Sequence, residues 1–112
     1  METISEQLDI LKNIYPGTQK LQEGEIIYYY IPGMNLPDGC SPSKTDVLLC
    51  PSMRDGYSSR LFFAEKITGC PTRNWNFEGR ILDRTWYGIS WRLNSKHTLV
   101  QMVSAHLDAL RT

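Results

Sequence analysis

Apolar side chains recur at helical spacing near both ends of the chain. Residues 3–15 carry one such stripe, and Thr3 and Glu6 are spaced as a capping box at its start. Residues 98–110 carry the second stripe, for which the dipeptide Asn94-Ser95 offers an N-cap. The pattern therefore predicts an N-terminal and a C-terminal helix.

Between these helices, apolar residues occur in short runs rich in β-branched and aromatic side chains, which is typical of strands. The runs are residues 21–31, 47–50 and 61–64. Alternation along the first run places Tyr29 opposite its two tyrosine neighbours, so one face packs on the core and the other is a candidate contact surface. Residues 32–43 contain three prolines and two glycines, and are predicted to form a loop.

Residues 66–97 mix glycine, asparagine, arginine and three tryptophans, and they are predicted to be irregular. The element order is then a helix, an antiparallel meander, an irregular segment and a helix. This order predicts one α+β domain over residues 1–112, with the helices on one face or at the ends of the sheet.

Composition narrows the class of protein. The chain has 112 residues, of which 41% are hydrophobic and 21% charged, which suits one compact domain. Twelve basic and twelve acidic residues cancel, so no overall field favours nucleic acid or anionic membranes. The acidic start has no apolar signal region, and no apolar run reaches the roughly 20 residues that span a bilayer. We expect a cytoplasmic protein without nucleic-acid or membrane partners.

Cysteine and histidine usage gives no metal or cofactor signal, since no pair has ligand spacing. Three cysteines without a CxxC pair fit a reducing compartment. Cys50 ends an apolar run and is predicted to lie in the core, whereas Cys40 and Cys70 lie in Gly/Pro-rich stretches and could be exposed. His106 lies on the apolar stripe of the last helix and is predicted to be packed and hydrogen-bonded.

A ten-residue run from Asn74 to Asp83 carries the strongest functional signal. Asn74 is followed after five positions by Gly79, and then by Ile81 and Leu82. This spacing resembles the active-site loop of ubiquitin-conjugating (UBC-like) enzymes, in which an asparagine, a glycine, an isoleucine and the catalytic cysteine hold these offsets. Leu82 stands at the cysteine's position, and the family's His-Pro pair before the asparagine is replaced by Thr72-Arg73.

Two further spacings add to the resemblance. Pro51 and Phe63 lie twelve positions apart, as in the family, and Trp91 shortly precedes the last helix. The chain length, the turn over residues 36–40 and the segment over residues 86–90 look most like the short prokaryotic branch of the superfamily. The resemblance implies an N-terminal helix, an antiparallel meander, an irregular active-site segment and a C-terminal helix. It implies as partners a ubiquitin-like modifier and an activating enzyme, accompanied by a metal-dependent deconjugating protease.

The chemistry of a conjugating enzyme assigns candidate roles. The resemblance implies that Asn74 stabilises an oxyanion; alternatively, it satisfies loop backbone groups. Leu82 cannot be a nucleophile, and Asp83 follows it directly in the candidate site. Ser90 is a substitute nucleophile, with His97 the closest candidate base along the chain; alternatively, Ser90 satisfies backbone groups in a turn.

Two other classes of function stay open. One is a small binding or inhibitory module unrelated to modifier transfer. The other is a cysteine-dependent hydrolase that would use Cys70 with His97. Genes for an activating enzyme or a ubiquitin-like protein beside this one would favour the UBC-like hypothesis.

Overall fold

A computed structural model describes residues 3–54, 56–69, 74–93 and 97–111. Within these ranges the chain forms two α-helices and one six-stranded antiparallel sheet, which confirms the predicted α+β class. The elements are α1 (Ile4–Ile14), β1 (Gln19–Glu23), β2 (Ile26–Asn35), β3 (Lys44–Cys50), β4 (Arg60–Phe63), β5 (Trp75–Ile81), β6 (Arg84–Ile89) and α2 (Leu99–Leu107), which continues into a 3-10 turn (Asp108–Leu110). The strand order across the sheet is β1-β2-β3-β4-β6-β5.

Both helices begin at a threonine that closes a capping box. At α1 the Thr3 hydroxyl accepts from the amide of Glu6, whose carboxylate accepts from the Thr3 amide, as predicted. At α2 the cap is Thr98, paired with Gln101. The prediction that Asn94 or Ser95 caps this helix is wrong, since the N-cap, Thr98, lies three residues after Ser95. Asn94 and Ser95 themselves lie outside the described residues.

The predicted strands over residues 47–50 and 61–64 correspond to β3 and β4. The single run predicted over residues 21–31 is instead a hairpin of β1 and β2, which turns at Gly24 with a φ of 61°. A left-handed φ is accessible to glycine without steric cost, which explains the break.

Strand β2 also extends into the stretch predicted as a loop, so that prediction is wrong for residues 32–35. The strand passes Pro32 and Gly33 through an irregularity in its register with β3. Its other neighbour, β1, starts opposite Tyr30. Pro32 therefore lies in the part of β2 that has β3 alone as a neighbour, where the lack of an amide proton costs little.

The larger correction concerns the segment predicted to be irregular. Residues 75–89 of this segment form the β5–β6 hairpin. Leu82 and Asp83 are its two turn residues, with φ angles of 54° and 64°, as a type I′ turn requires. Side chains along β5 alternate between half-buried and exposed, which is the period of a strand with one covered face.

Apolar side chains cover both faces of the sheet. On one face α1 and α2 pack over a core whose largest buried members include Leu11, Tyr29, Phe63 and Leu99. The opposite face carries a second cluster: Tyr28, Leu48, Cys50, Phe62, Ile81 and Trp86. The predicted alternation of the tyrosines is confirmed, but the face opposite Tyr29 is buried rather than an open contact surface.

The second cluster is enclosed because the sheet curls until its two ends meet. The amide of Leu82, at the tip of the β5–β6 hairpin, donates to Glu23 Oε2 over 2.7 Å at the far end of β1. Close by, Arg84 of β6 forms an ion pair with Asp46 of β3 over 3.0 Å. The Glu23 carboxylate therefore links the first strand to the last hairpin, and the Arg84–Asp46 pair joins two inner strands beside the buried aromatic residues.

Candidate functional site

The structure brings two of the five predicted site residues together. The Ser90 amide donates to the carbonyl of Asn74 over 2.8 Å, which continues the β5–β6 pairing beyond its last strand residues. Leu82 and Asp83 lie at the other end of the same hairpin. At about 3.3 Å per residue, the seven residues of β5 separate these two pairs by roughly 20 Å. The four residues therefore do not converge on one cleft.

His97 lies in a different setting from the one predicted. It lines a surface groove of about 390 Å³ between α1, β2 and α2, together with Gln7, Ile27 and Met102 among others. The hydroxyl of Ser90 instead accepts a hydrogen bond from Tyr57, over 3.2 Å. Within the described ranges, the side chain that hydrogen-bonds to the Ser90 hydroxyl is thus a phenol from the turn before β4.

Tyr57 is the centre of a polar group that we call the tyrosine cluster: Tyr57, Arg60, Asn76, Ser90 and Arg92. The Asn76 amide donates to the Tyr57 oxygen over 2.7 Å, and Arg60 Nη2 donates to the Asn76 oxygen over 2.6 Å. The guanidinium carbons of Arg60 and Arg92 lie 4.3 and 4.2 Å from the centre of the Tyr57 ring. Such contacts between a cation and a ring are attractive, and they fix the orientation of the phenol.

Hydrogen bonds with the backbone hold three members of the cluster. Tyr57 closes a turn in which its backbone and that of Arg54 exchange hydrogen bonds, and Gly56 within this turn has a φ of 84°. Arg92 Nη1 donates to the Gly56 carbonyl over 2.6 Å. Arg60 begins β4, and it also donates to the carbonyl of Ile89 over 3.2 Å.

A glycine in β6 makes room for the buried arginine. A Cβ atom placed on Gly88 would lie 2.7 Å from Arg60 Nη2 and 3.2 Å from the Phe62 ring. Any other residue at this position would displace the guanidinium from its contacts with Asn76 and Tyr57. The site therefore requires glycine at position 88.

The tyrosine cluster extends from the core to the surface. Tyr57 and Arg60 are only 6% and 3% exposed, whereas the side chains of Asn76, Ser90 and Arg92 are exposed. The pKa of Tyr57 is lowered, chiefly by its hydrogen bond with Ser90, and further by Asn76 and by the positive charges of Arg60 and Arg92; burial opposes this shift. The arrangement presents an exposed hydroxyl above a phenol whose ionised form is stabilised.

A second polar pair lies beneath the cluster. Ser59 Oγ and His106 Nε2 are 2.9 Å apart, and both side chains are buried. Burial, with the nearby charges of Arg60 and His97, lowers the pKa of His106 to about 4, so its ring is neutral near pH 7. The prediction that His106 is a packed, hydrogen-bonded residue is confirmed.

The cysteines of the described residues are buried. Cys50 lies in the second cluster, as predicted, and its thiol contacts the Ser52 carbonyl over 3.4 Å. The expectation that Cys40 is exposed is wrong, since Cys40 is 8% exposed and packs in the core beneath the helices. Cys70, proposed with His97 as a hydrolase pair, lies outside the described residues.

Within the described ranges, no group of three or more His, Cys, Asp or Glu side chains is arranged to hold a metal ion. Neither helix in the described part of the chain is long and apolar enough to cross a membrane. Comparison with protein families, curated proteins and solved structures finds no match for this chain. Functional inference therefore depends on the geometry and on the resemblance found in the sequence.

Proposed function

We propose that the chain is a UBC-like component of a bacterial ubiquitin-like conjugation pathway. It would receive a ubiquitin-like modifier from an activating enzyme, without a cysteine at the usual position. The observation that carries the proposal is the pairing of Asn74 with Ser90 beside the tyrosine cluster. The asparagine of the motif thus lies next to an exposed oxygen nucleophile.

Ser90 is the acceptor that this arrangement favours. Leu82 has no nucleophilic atom, and Cys40 and Cys50 are buried away from a large protein partner. In the proposed step, Ser90 Oγ forms a bond to the terminal carbonyl carbon of the modifier. The C–S bond of the activating enzyme's thioester breaks, and the Ser90 proton goes in net to the departing thiolate. The product is an oxygen ester.

Intact-mass measurement tests the proposal. The purified protein is incubated with ATP, a bacterial ubiquitin-like modifier and the activating enzyme encoded with it. We expect a mass increase of one modifier that survives thiols and is cleaved by base. Ser90→Ala should abolish this adduct, whereas Ser104→Ala, which changes an exposed serine of α2, should leave it intact. An adduct that thiols reverse, or one that persists in Ser90→Ala, would contradict the proposal.

The alternative function is a non-catalytic protein-binding module unrelated to modifier transfer. One feature favours it: α1 exposes three isoleucines, Ile4, Ile10 and Ile14, which is unusual for a surface helix of a monomer. This alternative predicts no adduct in the mass measurement and no chemical-shift change when unactivated modifier is titrated into labelled protein. A saturable shift with the modifier would exclude it.

A further inference from the structure

We propose that Tyr57 is the general base of an acyl-accepting site, and that it takes the proton of Ser90 when that hydroxyl attacks a thioester or an activated ester. The inference deepens the proposed function, because it rests on Ser90 as the acceptor. It also assigns an activity toward small acyl donors, which can be measured without any protein partner. The geometric basis is the direct contact of 3.2 Å between the phenol oxygen and Ser90 Oγ.

A phenol is a useful base only where its ionised form is stabilised, because its ordinary pKa is about 10. Besides Ser90 itself, three groups supply that stabilisation here. The Asn76 amide donates to the phenol oxygen over 2.7 Å, and the guanidinium groups of Arg60 and Arg92 lie against the ring. The charge of Arg60 is buried, so water screens it less than it would at the surface.

The hydrogen bond between Tyr57 and Ser90 reverses when the phenol ionises. In the neutral state the phenol donates to Ser90 Oγ; as a phenolate it can only accept, so the serine hydroxyl becomes the donor. Attack on a thioester then forms the bond from Oγ to the acyl carbon while the proton moves to Tyr57. The C–S bond breaks next and the thiolate departs with the negative charge, while Tyr57 keeps the proton and later loses it to solvent, which restores the phenolate.

The burial of Tyr57 and the exposure of Ser90 suit a general base and its nucleophile. The base is buried while its nucleophile is exposed, so an acyl donor reaches Ser90 without contacting Tyr57 directly. Arg92 is exposed at the same rim and uses Nη1 on the Gly56 carbonyl. Because a guanidinium has five N–H donors, others in this side chain can stabilise the negative oxygen of the tetrahedral intermediate.

The test uses a small acyl thioester, N-acetylglycine thiophenyl ester, with the purified full chain. Acylation of the peptide containing Ser90 is followed by mass spectrometry from about pH 6 to about pH 10. We expect one acyl group on Ser90 and a rate that rises with an inflection below the pKa of an ordinary phenol. Tyr57→Phe should lower the rate at pH 8 by about a hundredfold or more and remove the inflection. Ser104→Ala is the matched control and should leave the rate unchanged.

A second variant keeps the proposal testable if Tyr57→Phe does not fold. Arg92→Gln changes an exposed side chain, leaves the phenol in place and removes one of its two stabilising charges. It should move the inflection to higher pH, and ultraviolet difference titration should show the ionisation of one tyrosine moving with it. An unchanged profile in both Tyr57→Phe and Arg92→Gln, or no acylation of Ser90 at any pH, would overturn the proposal.

The two proposals fail separately. Suppose that the small thioester acylates Ser90 and that this depends on Tyr57, while the activating enzyme and modifier give no adduct. The assignment of Tyr57 as general base is then supported and the conjugation function is refuted. If a modifier ester forms on Ser90 equally fast in Tyr57→Phe, the conjugation function stands and the base assignment is refuted.

Discussion

The buried His106 should make the stability of this protein fall steeply in mildly acidic solution. The residue is 4% exposed and pairs with Ser59, and its cationic form is disfavoured by burial and by Arg60 and His97 nearby. These surroundings lower the pKa of His106 in the folded state from 6.5 to about 4. Protonation is therefore easier in the unfolded chain than in the native one.

The sign and size of the effect follow from this difference. Above pH 6.5 the ring is neutral in both states, and the full native stability is present. As the pH falls from 6.5 toward 4, the unfolded state binds a proton that the folded state does not, so the free energy of unfolding decreases. A shift from 6.5 to about 4, at about 1.4 kcal/mol per pKa unit, corresponds to a loss of about 3 kcal/mol. That is a large part of the roughly 5–15 kcal/mol that stabilises a typical domain.

Urea denaturation, followed by tryptophan fluorescence at several pH values, measures the slope. His106→Gln should flatten the dependence between pH 6.5 and 4, even if it lowers stability at neutral pH. The control is His97→Gln, which removes the other histidine and should keep most of the slope. Equal slopes in the parent protein and in His106→Gln would refute the assignment of this effect to the buried ring.

Three further substitutions test the fold, each measured by the midpoint of urea denaturation at neutral pH. Asp83→Gly should stabilise the protein by about 0.5–1 kcal/mol, because glycine adopts the positive φ of this turn position at less cost; a loss of stability would show that the Asp83 side chain is needed there. Thr98→Ala should cost about 1 kcal/mol through loss of the α2 capping box, and a change near zero would mean that packing alone holds this end. Asp46→Asn should cost about 1–3 kcal/mol, since the carboxylate accepts from the Gly33 amide and pairs with Arg84; an unchanged midpoint would contradict a structural role for this pair.

Local signals in the sequence were sufficient for the elements that depend on local interactions. The capping box of Thr3 and Glu6 and the apolar run over residues 47–50 needed no tertiary information, and both correspond to observed elements. The β5–β6 hairpin was missed because its turn is Leu82-Asp83 rather than the usual Asn-Gly. The contact between the turn and Glu23 helps hold these residues at positive φ, and no sequence window contains both partners.

The sequence likewise indicates some residues of the candidate site and not others. Asn74 and Ser90 were singled out from the sequence, and the strand pairing places them side by side. Tyr57, Arg60 and Arg92 were missed because their stacking depends on the order β3-β4-β6, which joins segments up to 35 residues apart. The alternation of polar and apolar residues along β5 is the sequence signal for this part of the site, because it places Asn76 on the exposed side of a strand.

The hydrogen bond from the Leu82 amide to Glu23 forms only when the sheet is curled, so its presence can be used to follow the curvature of the sheet. The β1–β2 and β5–β6 hairpins can each form from neighbouring residues, but this bond joins them only after β3 and β4 have aligned between them. Flattening of the sheet, whether by thermal opening or by a bound partner, would break this bond. Because the bond is exposed and made to a side chain, hydrogen exchange at the Leu82 amide reports opening of the contact between the two hairpins.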